Sequence, residues 1–196
     1  MPATRIIRIE SVNVALAREL AVGARQVLSA IGKRAVAPGA AVAVRALGLE
    51  GDEQADLSTH GGLTKAVYAY PSEHYAFWQT VRAQARVAAW TDVLPPGALG
   101  ENLTLSGVVE SDLWIGDRLH LGGCVLAVSG PRFPCDKLDA AMGFAQASRL
   151  MVRSGWCGSY LAVIEPGVVR AGDEAELRPG PREVGLLELF RARARA

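Results

Sequence analysis

The chain has few cysteines, no CxxC pair and no long apolar run, and each absence excludes a class of protein. Three cysteines in 196 residues, widely spaced, exclude a zinc ribbon and a thioredoxin-type redox pair. The apolar runs are far shorter than the ~20 residues that span a bilayer. The N-terminus also lacks the apolar stretch of a signal peptide. We therefore expect a cytoplasmic protein with no membrane partner.

Charge and motifs exclude further classes. The net charge is only +1, whereas general nucleic-acid binding requires a strongly basic face. No GxGxxG, P-loop, HExxH or GxSxG motif is present, which removes the commonest nucleotide-binding, zinc-protease and serine-hydrolase families. The length predicts a single domain, residues 1–196, that buries a proper core without disulfides.

Short apolar segments separated by glycines predict a mostly β protein, a barrel or sandwich with a few helices. The expected strands include residues 40–49, 64–70, 103–109, 113–115, 118–121 and 124–129, and a closing hairpin formed by 160–164 and 174–177. Helical spacing predicts helices over 72–86, with Ser72 as N-cap, over 138–153, and over 183–195. The first forty residues fit strand or helix about equally.

Cys135 is the first candidate for chemistry. It lies in a proline-stiffened segment, with Arg132 three residues before it and Lys137 two residues after it. Thiolate is the form of cysteine that attacks electrophiles and binds metals, and neighbouring cations favour it. Charged neighbours also disfavour full burial. Cys124 and Cys157 lie in apolar or glycine-rich segments and are expected to be packing residues.

Lysine is the scarcest charged residue. Of the 21 basic residues 18 are arginines, so the background favours arginine wherever any cation suffices. The three lysines, Lys33, Lys65 and Lys137, each stand beside a segment that is a candidate on other grounds. Lysine is a compact point charge that suits phosphate. This distribution favours a functional role for all three.

Two further segments combine turn residues with polar groups. The pair Gly61-Gly62 follows His60, and glycine N–H groups in such turns can hold an oxyanion while histidine moves protons near neutral pH. Glu101-Asn102 leads into a strand, where the amide could recognise a ring edge. An ordinary turn explains each segment about equally well. The acidic segment 51–56 lacks EF-hand spacing, and His74 and His120 fit structural roles better.

In this order, the segments resemble the MOSC domain family, the β-rich domains related to the C-terminal part of molybdenum cofactor sulfurases. The resemblance is closest to the stand-alone bacterial type linked to resistance against N-hydroxylated base analogues. The matching stretches are Ser11-Val12-Asn13-Val14, Gly32-Lys33-Arg34, Gly48-Leu49-Glu50-Gly51-Asp52 with Gln54-Ala55-Asp56, His60-Gly61-Gly62, Lys65-Ala66-Val67-Tyr68, Tyr70-Pro71 with Glu73-His74-Tyr75 and Trp78, Gly100-Glu101-Asn102-Leu103, Gly116-Asp117, Pro131-Arg132 with Pro134-Cys135 and Lys137-Leu138, and Pro166-Gly167.

The resemblance implies a barrel-like, mostly antiparallel β fold with peripheral helices, and it favours strands near the N-terminus. It also implies that Cys135 ligates molybdenum in a pterin cofactor, which agrees with the preference of soft metals for thiolate. The implied cofactor-binding residues are Lys33, Arg34, His60, Gly61, Gly62, Lys65, Glu101, Asn102, Arg132 and Lys137. Asp136 departs from relatives that carry a neutral or aromatic residue there, and it puts an anion near the expected metal.

The leading hypothesis is therefore a molybdenum-cofactor reductase of N-hydroxylated compounds, with Cys135 and His60 as catalytic residues. No flavin, haem or iron–sulfur motif is present, so electrons would come from a separate reductase, such as a flavoprotein. A homodimer is possible. One alternative is a cofactor carrier or sulfur-transfer module without turnover. Another is a hydrolase in which Cys135 is the nucleophile and His60 or His74 the base.

Overall fold

A computed structural model describes residues 5–57 and 61–194, in which short strands predominate. The strands are β1 (Arg5–Val14), β2 (Arg18–Val22), β3 (Arg25–Ser29), β4 (Arg34–Ala35), β5 (Val42–Arg45), β6 (Gly48–Leu49), β7 (Val67–Pro71), β8 (Leu103–Ser106), β9 (Arg118–Leu121), β10 (Cys124–Pro131), β11 (Ser159–Glu165), β12 (Gly167–Val169) and β13 (Glu174–Arg178). The helices are α1 (Tyr75–Gln84), α2 (Asp136–Met142), α3 (Ala147–Ser154) and α4 (Leu186–Ala194). None of the helices within these ranges is long and apolar enough to cross a membrane.

Seven strands close into a barrel in the order β1-β13-β9-β10-β11-β7-β8, with β8 returning to β1. The mostly β class is confirmed, but the expectation of an antiparallel barrel is wrong in one place, because β7 and β8 are parallel. A parallel pair requires a long crossover connection. Residues 72–102, which include α1 and a proline-rich loop, form it. The barrel is therefore mixed.

The barrel interior is filled by aliphatic side chains from every strand, and β1 illustrates how. Ile7 and Ile9 alternate inwards, a register shift follows between Ile9 and Ser11, and Val12 then faces the core. The shift changes which alternate residues of β1 face the core, from odd-numbered to even-numbered positions. The same strand pairs with β8 and β13, and so closes the barrel.

β7 is buried on both faces, and it connects the barrel to the helices. Val67 and Ala69 belong to the interior of the barrel, while Tyr68 and Tyr70 belong to an outer apolar cluster with α1, α2, α3 and α4. A strand covered on both sides is a continuous apolar run rather than an alternating one. The strand predicted at 64–70 is confirmed from Val67 onwards, whereas Leu63–Lys65 form a short 3-10 turn.

Several predicted elements differ from the structure. The single helix predicted over 138–153 is two helices, because Gly143 takes a left-handed conformation (φ 81°) that ends α2. The predicted helix at 72–86 begins with a 3-10 turn, and α1 itself starts at Tyr75, with no side-chain cap from Ser72. The strand predicted at 113–115 is reduced to one bridge between Trp114 and Gly185.

The predicted closing hairpin is also wrong. β11 lies between β10 and β7, whereas β13 lies between β1 and β9, so these two strands are not neighbours. The intervening strand β12 pairs instead with β5 in a small separate sheet. Adjacent segments in sequence usually pair, and here the closure of the barrel overrides that tendency.

Candidate functional site

A cavity beside Cys135 gathers most of the candidate residues, and we call it the Cys135 cavity. Its polar and aromatic lining consists of Ser29, Lys33, Asp52, Glu53, Gln54, Asp56, Lys65, Tyr68, Asn102, Arg132, Cys135, Lys137 and Tyr160. The cavity has a volume of about 90 Å³, or about 620 Å³ when the space that opens to solvent is included. All three lysines of the chain line this one cavity.

Cys135 is held by the segment that joins β10 to α2. Its backbone is extended (φ −135°, ψ 179°), and its carbonyl accepts a hydrogen bond from the N–H of Leu138 at 2.9 Å. Leu138 is fully buried, and Phe133 stacks on Phe190 of α4 with ring centroids 5.1 Å apart. These contacts fix the thiol at the cavity wall. Cys124 and Cys157 are buried in the core, as predicted.

Arg132 is the most deeply placed cation of the cavity, with only 5% of its surface exposed. Its guanidinium lies over the ring of Tyr68 at 5.0 Å, while the ammonium of Lys65 lies over the ring of Tyr160 at 5.8 Å. Burial raises the pKa of both tyrosines, although the charge of Arg132 opposes the shift. The tyrosines therefore remain neutral, and the cavity combines positive charge with aromatic walls.

Lys33 forms a buried ion pair with Asp52 at the cavity wall. Burial lowers the pKa of Lys33, and the adjacent carboxylate opposes that shift. Asp52 also accepts hydrogen bonds from the N–H of Ala15 at 2.8 Å and from Nδ2 of Asn102 at 2.8 Å. Three donors thus hold this carboxylate, which satisfies the requirement that a buried charge be paired.

Asn102 joins strands through both ends of its amide. Its Oδ1 accepts from the N–H of Tyr68 at 3.0 Å, and its Nδ2 donates to Asp52 and to the carbonyl of Asn13 at 3.3 Å. The side chain lines the cavity, but its strongest polar contacts lie within the wall. The arrangement stabilises the site rather than leaving an amide directed at a ligand.

Glu101 lies behind the wall and does not line the Cys135 cavity. It is completely buried and accepts hydrogen bonds from the N–H groups of Gly97 at 2.7 Å and Leu99 at 3.1 Å. The hydroxyls of Tyr75 and Thr104 also donate to it. Burial raises the pKa of Glu101, and these donors oppose the shift. This carboxylate therefore organises the 97–101 turn.

The remaining predicted residues are placed differently. Arg34 lines a second cavity rather than the Cys135 cavity. The N–H of Gly62 donates to Oε1 of Gln54 at 2.8 Å, and a Cβ at Gly61 would lie 2.6 Å from the same oxygen. The Gly61-Gly62 turn is thus hydrogen-bonded to Gln54, which lines the Cys135 cavity. The prediction for His60 lies outside the described residues.

Asp136 follows Cys135 directly but does not line the cavity. Its carboxylate pairs with Arg25 of the β2–β3 hairpin. The carboxylate of Asp136, which is adjacent to Cys135 in the sequence, is therefore paired with Arg25 and is not part of the cavity lining. Lys137, two residues after Cys135, lines the cavity.

Seven of the polar and aromatic lining residues were not predicted as site residues: Ser29, Asp52, Glu53, Gln54, Asp56, Tyr68 and Tyr160. Asp52 and Gln54 lie in the acidic segment 51–56, which resembles the family and lacks EF-hand spacing, but neither residue was predicted to belong to the site. Tyr68 and Tyr160 lie on paired strands, β7 and β11, and face each other with ring centroids 5.6 Å apart. Only the pairing of these distant strands brings the two rings to the same wall.

The geometry disfavours a hydrolase that uses His74 as its base. His74 is buried away from the cavity, with Nε2 at 2.8 Å from Glu110 and its ring stacked on Trp156 at 4.5 Å. Within residues 5–57 and 61–194, no cluster of three or more His, Cys, Asp or Glu side chains could hold a metal. A metal here would depend on Cys135 and on non-protein ligands.

The lining fits a pterin-bound soft metal in its chemistry. Cys135 offers one sulfur, the ligand that such metals prefer, and four cations offer partners for an anionic carrier: Lys33, Lys65, Arg132 and Lys137. Because the cavity volume is only about 90 Å³, a bulky cofactor would have to extend into the space that opens to solvent.

The MOSC domain family model matches residues 56–176 of this chain. The uncharacterized protein YflK of Bacillus subtilis is 41% identical over 128 residues, which cover 65% of this chain and 54% of YflK. Protein YiiM of Escherichia coli is 38% identical over 131 residues, covering 67% of this chain and 56% of YiiM. The chain thus matches about half the length of these two relatives.

The solved structures of YiiM share the same fold. The protein from Geobacillus stearothermophilus superposes with a TM-score of 0.74 and 28% identity, covering 96% of this chain and 84% of that one. The E. coli protein superposes with a TM-score of 0.69 and 27% identity, covering 100% and 79%. A longer protein of Gibberella moniliformis, named a reductase, is 36% identical over 140 residues, which make up 70% of this chain and 24% of that protein.

Proposed function

Because the chain belongs to the MOSC domain family, we propose that it is a reductase of N-hydroxylated compounds that holds a molybdenum–pterin cofactor through Cys135. The observation that carries the proposal is the convergence at one cavity. Cys135 is the only one of the three cysteines on the lining, and all three lysines and Arg132 surround the same space. A thiolate suits the metal, and the cations suit the phosphate of the pterin.

The reaction proposed is R–NHOH + 2 e⁻ + 2 H⁺ → R–NH₂ + H₂O. When bound, the cofactor would supply the two-electron chemistry. The N–O bond breaks, the nitrogen takes up one proton, and the departing oxygen leaves as water with the other. His60 is the proposed proton donor, as a histidine titrates near neutral pH.

The residues of the chain would bind and orient. The buried guanidinium of Arg132 and the ammonium groups of Lys65 and Lys137 would attract an anionic carrier, and the neutral rings of Tyr68 and Tyr160 would pack against a flat heterocycle. Asp52 would keep Lys33 in place. Electrons would come from a separate flavoprotein reductase, since the sequence has no motif for a second redox centre. The longer relative named a reductase supports this link to reduction.

The test is substrate reduction by protein purified from a host that makes the pterin cofactor. Wild type, Cys135→Ala and the control Cys124→Ala are supplied with a reduced viologen dye and N-hydroxylaminopurine or benzamidoxime. Cys124 lies outside the cavity, so its variant controls for loss of a thiol elsewhere. The proposal predicts turnover in wild type and the control, and loss in Cys135→Ala. Equal turnover in all three proteins would remove it.

A second candidate function is carriage of the cofactor without turnover, and the open mouth of the cavity favours it. A carrier would release the pterin to an acceptor enzyme in proportion to the protein added. The same dye assay separates the two functions, because a carrier oxidises at most a stoichiometric amount of dye, whereas a reductase continues while substrate lasts.

A further inference from the structure

A second, larger cavity lies under the β2–β3 hairpin, and we call it the hairpin cavity. It has a volume of about 610 Å³ and opens between this hairpin, the 94–98 loop and the ends of α1 and α2. It shares Ser29, Ile31 and Lys33 with the Cys135 cavity, so the segment 29–33 is the wall between the two. Neither the family match nor the relatives' names assign it a role.

The wall between the cavities is thin and tightly packed. A Cβ on Gly97 would lie 2.8 Å from the carbonyl oxygen of Lys33, and a Cβ on Gly100 would lie 2.7 Å from Cγ1 of Ile31. The backbone at Gly97 therefore packs directly against the backbone of Lys33, and the backbone at Gly100 packs against the side chain of Ile31. The ammonium group of Lys33 is paired with Asp52. Lys33 thus lines both cavities, whereas Arg18, Arg34 and Arg82 line the hairpin cavity and not the Cys135 cavity.

Arginine dominates the charge of the hairpin cavity. Arg18, Arg34 and Arg82 line it, and the only carboxylate on the lining is that of Glu19. Arg82 is held in place by a hydrogen bond from Nε to the carbonyl of Met142 at 3.2 Å. Among the described residues, neither Arg18 nor Arg34 has an ion pair with a carboxylate. Their charge is therefore available to a ligand.

The same cavity has an apolar wall. Leu16, Ile31, Leu94 and Met142 contribute to it, and Leu16 is 55% exposed although it is a large apolar residue. Leu20 lies two residues after Arg18 on β2, so the two side chains share one face of the strand. Apolar surface and unpaired arginine thus stand next to each other, an arrangement suited to an amphipathic anion.

We propose that the hairpin cavity binds a phosphate monoester carried on a flat apolar ring system, of the nucleoside monophosphate class. Three guanidinium groups suit a dianion better than a monocarboxylate, and the arginine fork matches phosphate oxygens. The apolar wall would take the ring, and 610 Å³ lies within the range of small-molecule sites. This site requires neither molybdenum nor Cys135, so it stands apart from the proposed reductase activity.

Isothermal titration of the metal-free full chain with AMP tests the proposal. Adenosine, which lacks the phosphate, and inorganic phosphate, which lacks the ring, are titrated in parallel. We expect AMP to bind at least about tenfold more tightly than either, because each partial ligand loses one of the two kinds of contact. AMP affinity that merely equals that of phosphate would overturn the proposal.

Variants locate the site. Arg18→Gln/Arg34→Gln should weaken AMP binding about tenfold or more, since charge-assisted hydrogen bonds are lost. The control Arg153→Gln/Arg170→Gln makes the same change in net charge at exposed residues that line neither cavity. The control should bind AMP like wild type. An equal loss in both double variants would mean nonspecific attraction and would overturn the assignment.

Alkylation of Cys135 distinguishes the two cavities. Iodoacetamide at Cys135 fills the neighbouring cavity and should leave AMP affinity unchanged if the hairpin cavity is the site. Loss of AMP binding on alkylation would place the ligand in the Cys135 cavity and contradict the proposal. Because the readout is binding by metal-free protein, its outcome is independent of whether the chain reduces N-hydroxylated compounds.

Discussion

Lys33 and Asp52 form an ion pair buried in the wall that separates the two cavities, with side chains only 7% and 6% exposed. Asp52 also ties this wall to Ala15 and Asn102 through hydrogen bonds. One carboxylate therefore connects the segment 29–33, the end of β1 and the start of β8. The position of the wall, and with it the shape of both cavities, depends on this pair.

Replacing Lys33 by methionine should destabilise the protein by about 3 kcal/mol, the lower end of the cost of breaking a buried ion pair. The cost stays at the lower end because Asp52 keeps two other donors. Urea unfolding followed by circular dichroism measures it. Lys33→Met/Asp52→Asn is the matched control and should recover part of the loss, because it removes the uncompensated charge. A double variant no more stable than the single one would show that charge is not the cause.

Thiol labelling should detect one reactive cysteine in the native protein. Cys135 lies at a cavity wall, whereas burial raises the pKa of Cys124 to about 11 and raises that of Cys157 as well. Near pH 8, one equivalent of Ellman's reagent should react quickly, and the other two thiols only after denaturation. Cys135→Ala should lack the fast phase. Rapid reaction of two or three thiols in wild type would contradict the burial of Cys124 and Cys157.

Glu101 should make stability depend on pH in a particular direction. Its pKa is raised by burial, so above the ordinary value of 4.5 the native state binds more protons than the unfolded state. The free energy of unfolding contributed by this group therefore falls as pH rises from 4.5 through the raised pKa. Glu101→Gln should remove that slope, while costing roughly 1–3 kcal/mol because its amide group cannot accept from all four donors. If the free energy of unfolding changed with pH in the same way in wild type and in Glu101→Gln, Glu101 would not be the source of the pH dependence.

Gly97 should tolerate substitution less well than another glycine of similar conformation. Gly97 and Gly23 both have positive φ (87° and 58°), but only at Gly97 would a Cβ meet a backbone atom, 2.8 Å away. Gly23→Ala should cost about 1 kcal/mol from backbone strain alone. Gly97→Ala should cost distinctly more, and should also weaken AMP binding, because the wall at Lys33 must shift. Equal stabilities of the two variants would exclude the steric argument.

The sequence was most informative where a residue type was scarce. The chain has 18 arginines and only three lysines, and all three lysines line the Cys135 cavity. The charged, proline-containing segment around Cys135 likewise predicted a thiol held outside the core, and Cys135 is only partly buried, at the wall of a cavity. Local chemistry was sufficient to select these residues as candidates.

The sequence was least informative about long-range pairing. The parallel contact between β7 and β8, and the position of β13 between β1 and β9, depend on the closure of the barrel, which no local pattern encodes. For the same reason Tyr68 and Tyr160 could not be predicted to share a wall. The division of the helix at Gly143 is different, because a glycine inside a helical pattern was an available signal.

The placement of Glu101 and Arg34 shows the limit of motif matching. Both lie in segments that resemble the family, yet Glu101 is enclosed by four donors behind the wall, and Arg34 faces the hairpin cavity. A motif places a segment near a site, but the face of the strand or turn decides which side chain reaches it.

The molybdenum content of the purified protein tests the central claim most directly. Wild type, Cys135→Ser and Cys124→Ser are produced in a host that makes the pterin cofactor, and metal per chain is measured by mass spectrometry. Because Cys135 is the only thiol on the described lining of the cavity and soft metals prefer thiolate, wild type and the Cys124 variant should carry about one molybdenum per chain and Cys135→Ser a small fraction of that. Equal molybdenum in all three proteins would contradict the account.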